Sequence, residues 1–304
     1  MADLATEYLE RHARPKKKPS SAALDEHNLC RHVLPSPLAR IRVEAVTERD
    51  VARLHHAMSA TPVAANRTAA LLSKMFSLAE AWKYRPKGSN PVRGLERYRE
   101  RGRERFLSSE ELGRLGDALA AAEAEGIELK GALAAIRLLI LTGARRSEIL
   151  SLQWPHVDLE RRCLRLPDSK SGAKSVVLNA PALEALAGLA RDRSDSPWVI
   201  QGAKPGRPLV NITKPWFRLR TRAGLDGVRL HDLRHNYASI GAAAGMGLYI
   251  VGKLLGHTRA TTTERYSHLA MDPLREASER IGARIAAALA GKPDADVVPI
   301  RVGA

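Results

Sequence analysis

A mainly α-helical protein with one small antiparallel β-sheet is the fold that these 304 residues predict. Three observations carry it. Apolar residues recur at helical spacing, as at Leu71, Leu72, Met75, Phe76, Leu78 and Ala79. Paired β-prone runs occur in one place, on either side of a Ser/Gly-containing turn. An Arg-rich stretch from Arg97 to Arg105 has no apolar periodicity and divides the chain into two helical parts.

The elements follow in order. Residues 1–21 are charged and end in Pro15-Lys16-Lys17-Lys18-Pro19-Ser20-Ser21, which reads as an exposed basic segment. A helix over 22–34 is stopped by Pro35 and Pro37. Thr47 with Asp50 forms a capping box that opens a second helix, through Met58. A third runs from Pro62 to Trp82, before turn residues return at Pro86, Gly88, Asn90, Pro91 and Gly94. The first helical domain is therefore 22–96, with a basic linker at 97–106. Ser108 and Glu111 make a second capping box, and the helix they open runs to about Glu125. Gly131 to Leu141 is apolar enough for a buried helix, and Ser147 restarts one. Cys163–Leu166 and Ser175–Leu178 flank a hairpin tip at 168–172. Helices resume at about 213–222, 232–244, 247–255, 262–270 and 273–289, so a second domain spans 107–271 and a helical tail 272–304. No period of 20–50 residues repeats, which argues against a solenoid.

Composition narrows the function. The 49 Lys and Arg against 33 Asp and Glu leave a net charge of +16, the balance expected of a protein that displaces counterions from a polyanion. No apolar run approaches a membrane span, and the charged first 30 residues lack the apolar core of a signal peptide. Cys30 and Cys163 are too few for a disulfide framework or a cysteine-rich zinc site. These features predict a soluble, cytoplasmic, nucleoid-associated protein.

Four segments of the second domain carry chemistry. In Thr142-Gly143-Ala144-Arg145-Arg146-Ser147-Glu148, a Gly ends the apolar helix and Arg145 occupies the turn, three residues before Glu148. Lys170 sits at the hairpin tip, from which a Lys on a DNA-facing loop can reach a leaving oxygen. In His231-Asp232-Leu233-Arg234-His235, positions 231, 234 and 235 share a helical face. His231 and His235 have the i, i+4 spacing of a metal pair. The Glu of the metalloprotease pattern is missing, no third ligand is evident and Arg234 would repel the cation. Two cationic donors for an anion, His231 and Arg234, fit better. Finally, Leu254-Leu255-Gly256-His257 precedes Thr261-Thr262-Thr263-Glu264-Arg265-Tyr266, where Thr261 and Glu264 suggest a capping box that puts Tyr266 in the second turn of a short helix.

Taken together, from about residue 28 to residue 275, the chain resembles the tyrosine recombinases, or phage integrase family. Lys170 lies 25 residues after Arg145, His257 lies 23 after Arg234, and Tyr266 nine after His257. Ala65-Asn66-Arg67, the apolar face through Trp82 and Asn90-Pro91 resemble the family's core-DNA-binding domain, without room for a further domain that binds arm sites. The resemblance implies a DNA breaking-rejoining enzyme fold and a site of Arg145, Lys170, His231, Arg234, His257 and Tyr266, with Glu148 positioning its neighbours. Tyr266 would attack the phosphodiester to give a 3′-phosphotyrosyl link. Arg145 and Arg234 would hold the non-bridging oxygens, and Lys170 would protonate the 5′ oxygen. His231 and His257 would add donors, with His231 also accepting the Tyr proton. No cofactor or metal is implied. The partners implied are duplex DNA and further copies of the chain, four on paired sites through an exchanged C-terminal segment, with accessory DNA-bending proteins left open. A non-catalytic DNA-binding regulator and a topoisomerase-like enzyme of the same chemistry are the rival readings.

Overall fold

The computed structural model describes residues 1–100, 105–167, 172–191, 193, 195–204 and 206–267, with 275, 278–279, 281–283 and 285–286 of the tail. They form two units, Met1–Arg103 and Glu104–Ala304.

Every regular element described in the first unit is helical. Helices α1 (Ala2–Tyr8) and α2 (Arg14–Lys16) are joined by a helical turn over Leu9–Ala13, and α3 (Pro19–Asn28) follows. The first 16 residues therefore do not stand apart as a basic segment. Met1, Leu4, Ala5, Tyr8 and Ala13 are buried in the core, and the Tyr8 hydroxyl donates to Asp25 of α3 (2.7 Å). The spacing of Leu4, Ala5 and Tyr8 is that of an amphipathic helix whose other face carries the charges. Helix α4 (Glu48–Ala57) opens with the reciprocal Thr47–Asp50 box. Helix α5 (Pro62–Ala81) starts with Pro at its first position and buries Leu71, Leu72, Met75, Phe76 and Ala79.

Two buried asparagines hold the chain that follows. Asn90 donates to Ser73 O and Ser77 Oγ on α5 (2.9 and 3.0 Å). Asn66 accepts from Tyr98 N–H (3.0 Å) and donates to Tyr98 O and Glu100, while His55 stacks on the Tyr98 ring at 4.4 Å. The first part of the expected linker is thus packed onto the first unit. Residues 101–104 lie outside the described residues.

In the second unit, α6 (Ser109–Ala124) begins with the Ser108–Glu111 box, and Arg105 reinforces it with an ion pair to Glu111. Helix α7 (Lys130–Thr142) is buried along most of its length and packs against α9 (Ala180–Arg191) and α11 (Leu230–Ala243). Between α8 (Arg146–Leu150) and α9 lies the sheet of β1 (Val157–Asp158), β2 (Cys163–Leu166) and β3 (Lys174–Val177), antiparallel in the order β1-β2-β3. Its register places Cys163 opposite Val177 and Leu166 opposite Lys174. Helix α10 (Thr213–Arg222) packs on α6; α12 (Leu248–Leu255) and α13 (Thr261–Glu264) close the described fold. Mainly α with a small antiparallel sheet is what the sequence predicts.

Two local expectations fail. Helix α9 was not foreseen, although Asn179 caps it by accepting from Ala182 N–H (3.1 Å). Helix α13 is capped by Ala260 and not by a Thr261–Glu264 box, and it ends at Glu264. Tyr266 lies beyond its C-cap, with its N–H bonded to Thr263 O at 3.0 Å. Of the tail, the described residues are helical, with Ile281 and Ile285 60% and 55% exposed. No helix among the described residues is long and apolar enough to cross a membrane.

Candidate functional site

Two helix ends build the site. Gly143 ends α7 in the left-handed conformation (φ +61°), and Gly256 does the same for α12 (φ +68°). Both are also tight approaches. A Cβ on Gly143 would meet Tyr237 Cδ1 at 2.7 Å, and one on Gly256 would meet Lys174 Cδ at 2.8 Å. The chain leaves each glycine directly into a polar residue of the site, Arg145 two residues on and His257 one on.

Arg234 joins the two ends. Buried on α11, its guanidinium donates to Gly143 O and to Leu255 O, both at 2.7 Å. Desolvation, with Arg145 nearby, pushes its pKa down to about 10, so it stays cationic at neutral pH. Arg145 donates from Nη1 to Glu148 Oε1 (2.9 Å) and from its backbone N–H to Oε2 (2.8 Å). That carboxylate also receives Lys174 Nζ at 2.8 Å. Burial alone would raise the Glu148 pKa, but bonds from Lys174 and Arg145 outweigh it and hold the carboxyl below its usual range. One buried carboxylate thus anchors two cations beside a third.

The histidines are held neutral. His257 Nδ1 lies 2.8 Å from the buried Thr263 hydroxyl, and desolvation followed by Arg234 and Arg145 brings its pKa down to about 4. His231 is exposed at the start of α11, with its pKa lowered by desolvation of the ring and then by Arg234. His235 Nδ1 lies 2.5 Å from the Tyr266 hydroxyl, and its pKa is pushed down to about 4 by desolvation and then by His231. The Tyr266 ring is only 1% exposed, packed with Ala238, Ala242, Val251 and Leu255 and with Phe106 alongside.

Arg145, His231, Arg234, His235, His257 and Tyr266 line one cleft of about 680 Å³, whose rim also carries Arg146, Ser147, Thr258, Thr262 and Arg265. The structure therefore brings together five of the six residues expected, with Glu148 directly beneath Arg145. Lys170 lies outside the described residues. Two side chains were not anticipated. His235, rather than His231, meets the Tyr266 hydroxyl; the sequence places it on the same helical face as His231 and Arg234 but gives it no role beyond the spacing of a metal pair. Lys174 points inward on β3, a placement legible from its period-two relation to buried Val176. Among the described residues no group of three or more His, Cys, Asp or Glu is arranged to hold a metal ion. Chemically, the cleft offers fixed cations for an anion, neutral imidazoles and a phenol.

Comparison with known proteins bears on this arrangement. A sequence model of the phage integrase family matches residues 105–272, more than half of the chain. Tyrosine recombinase XerA of Saccharolobus solfataricus is 32% identical over 145 residues, 46% of this chain and 46% of that protein. Tyrosine recombinase XerD of Mycobacterium leprae is 32% identical over 158 residues, 47% of this chain and 49% of its own length. The prophage integrase IntF of Escherichia coli is 29% identical over 155 residues, 49% of this chain and 33% of its own. The matches thus span less than half the length of these relatives. In fold, the chain is similar to the Tn1549 transposon integrase in complex with a circular intermediate DNA (TM-score 0.73, 20% identity, 92% of this chain and 98% of that one). It is also similar to a λ integrase fragment whose dimer is bound to a core site (TM-score 0.72, 18% identity, 88% and 95%).

Proposed function

The chain belongs to the phage integrase family, and from that premise we propose that it is a site-specific DNA recombinase working through a 3′-phosphotyrosyl intermediate at Tyr266. The observation that carries this reading is the convergence of Arg145, Arg234, His231, His257 and the Tyr266 hydroxyl on one cleft. A phosphodiester resists nucleophiles because it is an anion, and its uncatalysed hydrolysis is extremely slow. Arg145 and Arg234 neutralise the non-bridging oxygens as charge grows in the transition state. Their own geometry is set beforehand, by Glu148 for Arg145 and by two backbone carbonyls for Arg234. His231 and His257 contribute donors to the same oxygens. Tyr266 forms the covalent link, which stores the bond for rejoining by another 5′ hydroxyl. Lys170, which falls in sequence between β2 and β3, protonates the leaving 5′ oxygen. Duplex DNA is the substrate, and four copies on two duplexes are the assembly that exchanges strands.

The test is a nicked duplex carrying the junction sequence beside the gene, which traps the covalent adduct by losing its short 5′ fragment. Wild type accumulates a covalent protein–DNA band. Tyr266→Phe retains DNA binding and gives none, and Arg145→Ala slows its formation by about a hundredfold or more with much smaller loss of affinity. A full-strength band from Tyr266→Phe overturns the assignment. A covalent band without strand exchange between two duplexes favours the topoisomerase-like alternative.

A further inference from the structure

We propose that His235 is a catalytic residue of this site: it fixes the direction of the Tyr266 hydroxyl and receives its proton during attack. The inference rests on the recombinase reading above and adds to it a residue outside the expected set.

The geometry is specific. Nδ1 of His235 lies 2.5 Å from the Tyr266 hydroxyl, with ring centroids 6.0 Å apart at 49°, so the contact is made at the edge of the imidazole and not through its face. Tyr266 has little freedom to aim elsewhere, because its ring is enclosed by Ala238, Ala242, Val251, Leu255 and Phe106. His235 follows Arg234 directly on α11, so the turn that seats the guanidinium on Gly143 O and Leu255 O also seats the imidazole. His231, the residue the sequence suggested for this proton, stands edge-on to His235 at 4.8 Å instead.

The surroundings suit a proton acceptor. His231, Asp232 and Arg234 face the ring from its own helix, His257 from the end of α12, and Arg265 and Tyr266 from the segment after α13. Desolvation and the surrounding cations keep it neutral, which leaves one ring nitrogen with a free lone pair. With the hydrogen on Nε2, Tyr266 donates and Nδ1 accepts. A DNA phosphate entering between Arg145 and Arg234 brings negative charge, which favours the imidazolium and strengthens the base when the substrate arrives. The step balances. The Tyr266 oxygen forms its bond to phosphorus, the bond from phosphorus to O5′ breaks, the tyrosine proton passes to Nδ1, and O5′ departs with a proton from the general acid. Rejoining returns the proton to Tyr266.

His235→Asn separates holding from proton transfer, since its amide oxygen can accept the hydrogen bond but cannot take the proton. In single-turnover cleavage of the nicked duplex from pH 6 to 9, His235→Asn is expected to fall about a hundredfold or more below wild type. Its residual rate should climb with pH, with DNA affinity and melting temperature retained. A His235→Asn rate within a few fold of wild type overturns the proposal, as does a His231→Asn variant that alone shows this pH-dependent defect. A second readout needs no DNA. Nitrogen-15 NMR of the free protein should show neutral His235 with hydrogen on Nε2, and its Nδ1 resonance should shift in Tyr266→Phe. A hydrogen on Nδ1, or no shift, also overturns it. If wild type forms no covalent adduct, the recombinase reading fails, and the NMR result still decides whether His235 holds the hydroxyl.

Discussion

His235 and His257 have pKa values of about 4 in the folded protein against about 6.5 for an unhindered histidine. Between those values the unfolded chain binds more protons than the folded one, so stability rises with pH across this window. The stabilisation is complete above pH 6.5 and is lost as pH falls toward 4. Glu148, whose carboxyl is held low, adds nothing here, since its contribution is lost only below the ordinary carboxylate range. Urea unfolding at pH 8 and pH 5 should therefore differ, by on the order of 2 kcal/mol for each histidine and about 4 kcal/mol for the two together. His235→Asn with His257→Asn should flatten that difference; an unchanged slope would show that the rings are not buried neutral. At this scale the sequence was readable where a motif fixes a spacing. Arg145, Arg234, His257 and Tyr266, each marked by its neighbours and intervals, line one cleft. His235 and Lys174 were not so marked, because each adjoins a residue with a stronger claim, His235 beside Arg234 and Lys174 beside the hairpin tip. For His235, which side of the helix meets the cleft is settled only by packing, whereas strand alternation with Val176 does place Lys174 inward but does not name Glu148 as its partner.

Elements place the site by how they end. Gly143→Ala meets two penalties, a left-handed backbone and a Cβ at 2.7 Å from Tyr237 and 2.9 Å from Leu255 Cδ2. The expected loss is about 2–4 kcal/mol in the second unit. Gly126→Ala is the control, since Gly126 has a similar φ of +64° with open space around it. Its loss should be about 1 kcal/mol. The difference isolates the packing contribution, and chemical denaturation of both variants measures it. Gly143→Ala should also slow covalent adduct formation, because Gly143 O is one of the two carbonyls that hold Arg234. Equal destabilisation by the two substitutions would contradict the tight approach. Both reciprocal capping boxes, at Thr47 and Ser108, were legible because two residues at fixed spacing specify them. Helix α1 was hidden by its charges, and α9 by a cap of one Asn without a partner acid. The box at Thr261 does not form because Thr261 is already the first helical residue, behind Ala260 as the N-cap.

Each unit closes its own apolar core, the first around Phe76, Met75 and Tyr8 and the second around α7. The whole chain adds a charge of +16, so DNA affinity should fall steeply as salt rises. The tail offers a test of how copies of the chain assemble. Ile281 and Ile285 stand one helical turn apart and are both more than half exposed. Burying such a side chain fully is worth roughly 1.5–3 kcal/mol, so two left in contact with water gain nothing until another surface covers them. Leu289, the next residue of the stripe, lies outside the described residues. If the stripe were covered by its own unit, removing residues 273–304 would expose that unit's core and lower its melting temperature. If a second copy covers it, truncation leaves melting and single half-site binding nearly unchanged while abolishing higher-order complexes and strand exchange. The exposure of Ile281 and Ile285 favours the second outcome. Gel shifts with one and two half-sites, read beside thermal melts of the full chain and of the chain ending at Asp272, distinguish the two. Four-protomer complexes from the truncated chain would mean that assembly is carried by another surface.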